Sequence, residues 1–358
     1  MKTSYKAIFT FLNFAVTILS SVGLVLAFIS SRVSSIEFDW LPYMSLLAPL
    51  FVLMSFVMML VNIIRFRPLA LLPLVVLIVS FYNITSIINY PIKKEYVEQK
   101  RVLKIATYNV RLLQDSTSQN VADSILNFIT NEKPQIIFMQ EFVKAKKNFD
   151  LINATLKDYP YSNIQESKTA ARMCLAIYSK YPIIETVDKF DLAKSTGYMR
   201  SDIVIKSDTV RVFNMHLKSN TITKEEREFL SNNEGLEERH YSEFKEAFVK
   251  FRENALLRAA QADSIAIEIE QSPYKDVIVC GDFNDVPFSY TFNKVKGTLN
   301  DTFAKKGSGY AYSYNLLRKL LKIDYILVSD SFEVVSYNSP LNTLSDHNPI
   351  FVELVRVD

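Results

Sequence analysis

The sequence predicts a layered α/β or α+β sandwich behind an all-α transmembrane region of three helices. Three observations predict it. Three charge-free stretches of 22 to 24 residues fill most of the first ninety positions, strand-like apolar runs with helical stretches between them fill the rest, and those runs end in Asp, Glu, Asn and His. Strands interleaved with helices bury their apolar faces best as sheets packed face to face under helices. At 358 residues, 49% hydrophobic and 22% charged, the chain has the composition of an ordered protein and not of a disordered one.

The membrane region comes first. Ala7 to Ile29, Leu41 to Ile64 and Leu69 to about Tyr90 carry no charge, and a helix of roughly 20 such residues crosses the hydrocarbon core of a bilayer. A signal peptide has a shorter apolar run and is not followed by two more. Three buried helices of a soluble core would need a polar face that these stretches lack. Residues 1–100 hold eight basic and four acidic side chains, whereas residues 101–358 hold 33 basic against 34 acidic, so the basic excess belongs to the membrane region. Lys2 and Lys6, with Arg65 and Arg67 in the short second loop, place those segments in the cytoplasm and everything after Tyr90 outside it. Lys93, Lys94, Lys100, Arg101 and Lys104 pull the other way; the outward orientation is the expectation adopted. Cys174 and Cys280 sit in apolar runs, where a thiol is a small core hydrophobe, and are silent on compartment.

A charged juxtamembrane segment, residues 93–100, leads into the globular part, residues 101–358. Strand-like runs recur at VLKIATYNV, PQIIFMQEF, MCLAIYS, SDIVIK, TVRVFNMHL, DVIVCGDF, KIDYILVS and NPIFVELVRV, by alternation or by continuous apolar residues. Helix is expected at Val121 to Asn131 and from about Thr223 to Glu270.

The ends of these runs carry the chemistry. Asn109, Glu141, His216, Asp282 and Asn284 close strands, Asp324 opens one, and Asp346 with His347 precedes another. Strand ends fix a side chain while leaving it accessible. In VIVCGDFNDVP, Val277 to Pro287, residues i and i+2 of a strand share a face, so Asp282 and Asn284 are expected to project together while Phe283 packs the other way. Hard oxygen ligands such as Glu141, Asp346 and Asn109 suit Mg²⁺ or Mn²⁺. Zinc wants more His or Cys than a chain with three His in all supplies. Metal, imidazole and amide together are the equipment of phosphoryl transfer. A lone strand-terminal Asp, by contrast, is ordinarily a turn residue.

It is the order of these motifs that resembles a family. TYNVR, QEF, NMHLKS, GDFND, IDYIL and SDHNPI follow one another over residues 101–358 as in the endonuclease/exonuclease/phosphatase superfamily. That group holds deoxyribonucleases, abasic-site endonucleases, neutral sphingomyelinases and inositol-polyphosphate phosphatases. The resemblance is to a membrane-anchored, bacterial-type member. It implies a four-layer α/β/β/α sandwich, Mg²⁺-dependent hydrolysis of a phosphate ester of the phosphodiesterase or endonuclease type, and a place in a bacterial inner membrane with the catalytic domain outside the cytoplasm. By motif, Glu141 resembles the principal metal ligand, with Asn109 and Asp346 completing the metal and water environment. Asp282 looks like the carboxylate that orients or deprotonates the attacking water, and Asn284 like the amide that holds the nucleophile or a phosphate oxygen. His347 resembles the imidazole at the scissile phosphate, oriented by Asp324, and His216 a second phosphate-side histidine. Arg172 and Arg200, each just before or within a strand-like run, are candidate phosphate contacts, since arginine's planar fork suits phosphate.

Substrate stays open between nucleic acid and a lipid head group, with a phosphomonoester behind them. A net of −1 over residues 101–358 disfavours a duplex-gripping face, and a membrane tether concentrates whatever lies in the adjacent surface. The partners expected are therefore the bilayer and the phosphate ester. Residues 221–254 form a charged, helix-prone insertion after the His216 strand, a lid or, more simply, a solvated helical pair. A non-catalytic binding protein on the same fold would have shed some of these motif residues; all are present.

Overall fold

The apolar runs form two six-stranded sheets, and the alternation of side chains along each strand divides its residues between an inner and an outer face. The computed structural model describes residues 2–91, 102–115, 118–144, 148–165, 173–191, 194–220, 238–315 and 320–357. The chain opens with α1 (Lys2–Ser30), α2 (Leu41–Ile64), the short α3 (Leu71–Val79) and α4 (Phe81–Thr85), and β1 (Ile88–Asn89). There follow β2 (Leu103–Asn109), α5 (Ala122–Asn131), β3 (Ile136–Phe142), α6 (Phe149–Thr155), β4 (Tyr161–Ile164), β5 (Cys174–Ser179), β6 (Ile183–Asp191), β7 (Thr196–Ile205) and β8 (Asp208–His216). Next come α7 (Glu238–Glu270), β9 (Val277–Asp282), α8 (Tyr290–Lys296), β10 (Asn300–Asp301), α9 (Thr302–Lys306), β11 (Gly309–Tyr310), β12 (Asp324–Val328), β13 (Phe332–Asn338) and β14 (Ile350–Arg356).

One sheet has the order β10-β12-β9-β8-β7-β6 and the other β13-β14-β2-β3-β5-β4. Their inner faces meet in one core, where Ile105, Phe138 and Ile177 of the second sheet pack against Ile203, Val212, Ile278 and Ile326 of the first. The outer face of the second sheet, with Tyr108, Ile137 and Met139, is covered by Ile125, Leu126 and Ile129 of α5. That of the first, with Phe213, Val279 and Phe283, is covered by Ala262 and Ile265 of α7 and Phe292 of α8. The result is the expected four-layer sandwich with a helical region before it.

The third expected span differs. Among the described residues two helices, α1 and α2, are long and apolar enough to cross a membrane, not three. The charge-free run that begins near Leu69 breaks at Ser80 (φ −85°, ψ 1°), and its second half turns into the sandwich, where β1 pairs with β11. Absence of charge is not absence of hydrogen-bonding demand: Asn83 is buried and donates to the Pro287 carbonyl at 3.0 Å. The expected linker, residues 93–100, and residues 221–237 of the insertion lie outside the described residues. The rest of the insertion belongs to α7 and packs on the start of α2, with Phe248 stacked on Tyr43 at 5.0 Å and Arg252 3.2 Å from Asp39.

Candidate functional site

Each sheet contains one parallel pair, β2 with β3 and β8 with β9. The C-terminal ends of those four strands carry Asn109, Glu141, His216 and Asp282. β12 runs antiparallel to β9, so its first residue, Asp324, lies opposite Asp282. β14 runs antiparallel to β2 with Ile350 opposite Thr107, which brings the preceding Asp346 and His347 to the same end. The topology thus gathers residues spread over some 240 positions of sequence at one rim of the sandwich.

Local backbone features aim them. β3 carries one extra residue against β5 between Met139 and Phe142, and within that bulge Glu141 adopts a left-handed φ of 50°, the usual way a bulge redirects a side chain. Gly281, at φ 132°, lies against β8 so closely that a Cβ would sit 2.1 Å from the Met215 carbonyl oxygen. Below the rim, buried Asn214 crosses between the sheets, its Nδ2 donating to the Met139 and Ala176 carbonyls at 3.0 Å, while Gln140 Nε2 donates to Asn214 Oδ1 at 2.7 Å.

Asp282 is the hub. Its Oδ2 accepts from Asn109 Nδ2 at 3.1 Å and lies 3.7 Å from both His216 Nε2 and His347 Nε2. Its Oδ1 accepts from the Asn284 backbone N–H at 2.8 Å. Glu141 Oε1 accepts from Asn109 Nδ2 at 3.2 Å and stands 3.6 Å from His216 Nε2. His347 Nδ1 meets Asp324 Oδ2 at 2.8 Å, and the Tyr314 ring lies 4.9 Å from its ring. Asp324 is held in turn, its N–H donating to Ser313 Oγ at 2.9 Å. Ser345 Oγ donates to the Asn109 carbonyl at 2.8 Å and accepts the His347 N–H at 3.2 Å.

Burial raises the Asp282 carboxyl to about 6, the neighbouring Asp324 charge adding to the rise and the two imidazoles opposing it. For His347, burial favours the neutral ring, but the charges of Asp324 and Asp282 and the Asp324 hydrogen bond prevail and hold it up at about 10. The two carboxylates on either side of it thus favour the protonated ring. His216 differs: both of its ring nitrogens are buried without a hydrogen-bond partner.

Asn284 does not share a strand face with Asp282. β9 ends at Asp282, Asn284 has a φ of 52°, and its amide donates to the Leu217 carbonyl at 3.1 Å. Asp282 is at once a turn residue and a site residue. Arg200 lies on the outer face of β7, bound to Glu185 at 2.6 Å and near Glu268 at 4.0 Å, with its guanidinium engaged away from the rim. Arg172 lies outside the described residues. Arg111, within TYNVR but not singled out by sequence, has its Nε 3.6 Å from Asp346 Oδ2. It opens three consecutive left-handed residues, Arg111, Leu112 and Leu113, with φ 43°, 58° and 59°. Ser345, Asn214 and Gln140 likewise stand inside quoted motifs; Tyr314 lies in no motif and had no signal.

The donor set fits a small hard cation. Glu141 and Asp346 keep about a fifth of their side chains exposed, 21% and 19%, while Asp282 is enclosed behind them. Carboxylate oxygens gather here with few positive partners, which suits Mg²⁺ or Mn²⁺. Asn109 is the exception among the three expected ligands. Its Oδ1 accepts the Arg111 N–H at 3.1 Å, so it faces the carboxylates with its donor nitrogen and orients them. Asp282, Asp324 and His347 also cluster tightly enough to hold an ion, but His347 Nδ1 is already committed to Asp324.

Comparison with known proteins identifies the family and the fold. A family model described as the Endonuclease/Exonuclease/phosphatase family matches residues 106–347, and one described as a domain of unknown function matches residues 6–87. No curated protein matches the chain. Among solved structures, an endonuclease/exonuclease/phosphatase from Bacteroides vulgatus is 18% identical with a TM-score of 0.51, covering 72% of this chain and 100% of that one. A family protein from Bacteroides thetaiotaomicron is 19% identical with a TM-score of 0.49, covering 73% and 100%. A beta toxin from Staphylococcus aureus, solved with bound magnesium ions, is 17% identical with a TM-score of 0.48, covering 72% and 100%. At these identities the likeness is one of fold.

Proposed function

Since the chain belongs to the endonuclease/exonuclease/phosphatase family, whose members are phosphoesterase hydrolases, we propose that it is a divalent-metal-dependent phosphodiesterase held at a membrane by its N-terminal helices. The observation that carries this reading is the convergence of four strand ends from two sheets on Asp282, with both imidazoles and Asn109 within 3.7 Å of one carboxylate oxygen.

Glu141 and Asp346, the more exposed carboxylates, would hold the metal, which when bound neutralises phosphate charge and activates water. Asp282, raised toward neutrality by its enclosure, takes the proton of the attacking water. Asn284 serves it by fixing Oδ1 through its backbone N–H. His347, kept cationic and oriented by Asp324, donates from Nε2 to a phosphate oxygen. His216, with two unbonded nitrogens, is free to take a second phosphate oxygen or to protonate the leaving group. Asn109 holds Glu141 and Asp282 at a fixed separation.

Bis-p-nitrophenyl phosphate with Mg²⁺ and the full-length protein in detergent tests the reading. Hydrolysis is expected, and Asp282→Ala is expected to lower it by about 10³-fold. Retention of activity in that variant would sink the proposed site.

One observation favours a lipid phosphate ester over a nucleic acid. The loop that follows Asp282 buries Phe288 among Leu24, Ala27, Ala48 and Val76 of the helical region, so the helices of the proposed anchor pack directly against a loop of the site. Side-by-side assay of sphingomyelin and phospholipid vesicles, plasmid DNA, RNA and inositol phosphates decides it, and turnover of DNA or RNA alone would reverse the preference. The exposed apolar flanks of α1 and α2 support an anchor in a bilayer.

A further inference from the structure

Residues 83–89 lie across the sandwich and touch the loop that follows Asp282 and the connection that leads to Asp324. Asn83, buried, donates from Nδ2 to the Pro287 carbonyl and to Asn293 Oδ1, both at 3.0 Å; Pro287 stands three residues beyond Asn284. The Ser86 carbonyl accepts from Lys322 Nζ at 3.3 Å, and Lys322, two residues before Asp324, also donates to Asp301 at 2.7 Å. The Ile87 carbonyl accepts the Ala311 N–H at 2.7 Å, three residues before the Tyr314 ring that packs on His347. Ile88 and Asn89 pair as β1 with Tyr310 and Gly309 of β11. Asn89 Nδ2 then donates to the Phe303, Ala304 and Gly307 carbonyls at 3.1, 2.9 and 3.1 Å, closing the end of α9.

These bonds are more than a tether requires. A linker holding a domain at a surface needs no polar side chain inserted into that domain, and burying one is costly unless every partner is in place. Asn83 brings its donors some 200 residues along the chain to a loop carbonyl, and the Asn89 amide is shared among three carbonyls.

We propose that residues 83–89 are a positioning strap for the active site, with Asn83 its principal residue, so that the anchor sets the geometry of Asp282, Asp324 and His347 rather than only their address. The proposal rests on the hydrolase reading given above. The loop that follows Asp282 and both ends of the connection that leads to Asp324 are held by residues of one seven-residue segment, and that segment begins within α4 and follows α3. Displacement of the helices therefore reaches the site through Pro287, Lys322 and Ala311.

Asn83→Asp keeps the shape and removes both donors; Asn62→Ala removes another buried amide, one that bonds Thr17 and Met58 within the helical region alone. Both are compared with the parent, full length in nanodiscs and below their melting temperatures, by steady-state kinetics and by amide hydrogen exchange. Asn83→Asp is expected to lower kcat by about tenfold or more with KM changed less than about twofold. It is also expected to speed exchange at residues 286, 288, 289, 311–315 and 320–324 by about tenfold, while Asn62→Ala leaves both unchanged. The proposal is overturned if Asn83→Asp leaves kcat or that exchange at the parent value, or if Asn62→Ala lowers kcat equally. A parent chain inert on every phosphate ester instead removes the hydrolase reading, and the exchange measurement still decides whether the strap holds the loops.

Discussion

Arg258 and Asp285 form an ion pair closed to solvent on all sides, with Nε 3.0 Å from Oδ2. Arg258 comes from the middle of α7, and its Nη1 also donates to the Lys218 carbonyl and Asn220 Oδ1, both at 2.9 Å. The pair thus fastens the long outer helix to the segments leaving β8 and β9, one residue past Asn284. Removing one partner strands the other as a buried charge, a cost of about 3–5 kcal/mol. Arg258→Met and Asp285→Leu are each expected to lower the melting temperature steeply. The double variant is expected to lose less than the sum of the two, as thermal denaturation in detergent can measure.

Gly281 answers a different constraint. Its φ of 132° and the Met215 carbonyl 2.1 Å from any added Cβ leave no room for a side chain between β8 and β9. Gly281→Ala is expected to cost about 3 kcal/mol through strain and a shifted ladder. Because His216 and Asp282 face each other across that ladder, kcat should fall by about 10²-fold in whatever protein remains folded.

The proposed metal dependence is tested at the donors at the mouth. Chelation is expected to abolish hydrolysis and Mg²⁺ to restore it. Glu141→Gln, which keeps the shape and removes the charge, should raise the half-saturating Mg²⁺ concentration by about tenfold or more. Titration of activity against Mg²⁺ separates this from a loss of kcat alone.

Both cysteines are buried and unpaired. Burial pushes the Cys174 thiol up to about 12 and Cys280 well above its ordinary value, so neither carries thiolate at neutral pH. Alkylating reagents are expected to leave both untouched in the folded protein up to about pH 9 and to label both in denaturant. Mass spectrometry reads the outcome.

Much of this was legible in the chain because strand ends and motifs coincide. Asn109, Glu141, His216, Asp282, Asp324 and His347 meet as the motif order implied, since two parallel pairs and two antiparallel neighbours return every motif to one rim. Other features had no linear signal. β6, reading IIETVDKFD, is largely exposed and charged, so it lacks the apolar pattern that marks the core strands. The third span failed because a charge count ignores amides: Asn83 and Asn89 look neutral in sequence and behave as polar anchors in the fold. Asn284 escaped the alternation rule because the strand ends at Asp282 and Asn284 itself is left-handed. Arg200 is ruled out of the site only by the register that turns it, with Tyr198, toward α7.

The cross-tie from Asn214 to the Met139 and Ala176 carbonyls gives the site an index pin. Glu141 follows Gln140 directly, and His216 lies two residues past Asn214, so the gap across which Glu141 and His216 face each other is set by hydrogen bonds of fixed length and not by the thickness of the apolar filling. Changes of volume among the aliphatic residues below can therefore accumulate at the expense of stability while the opening above them keeps its width.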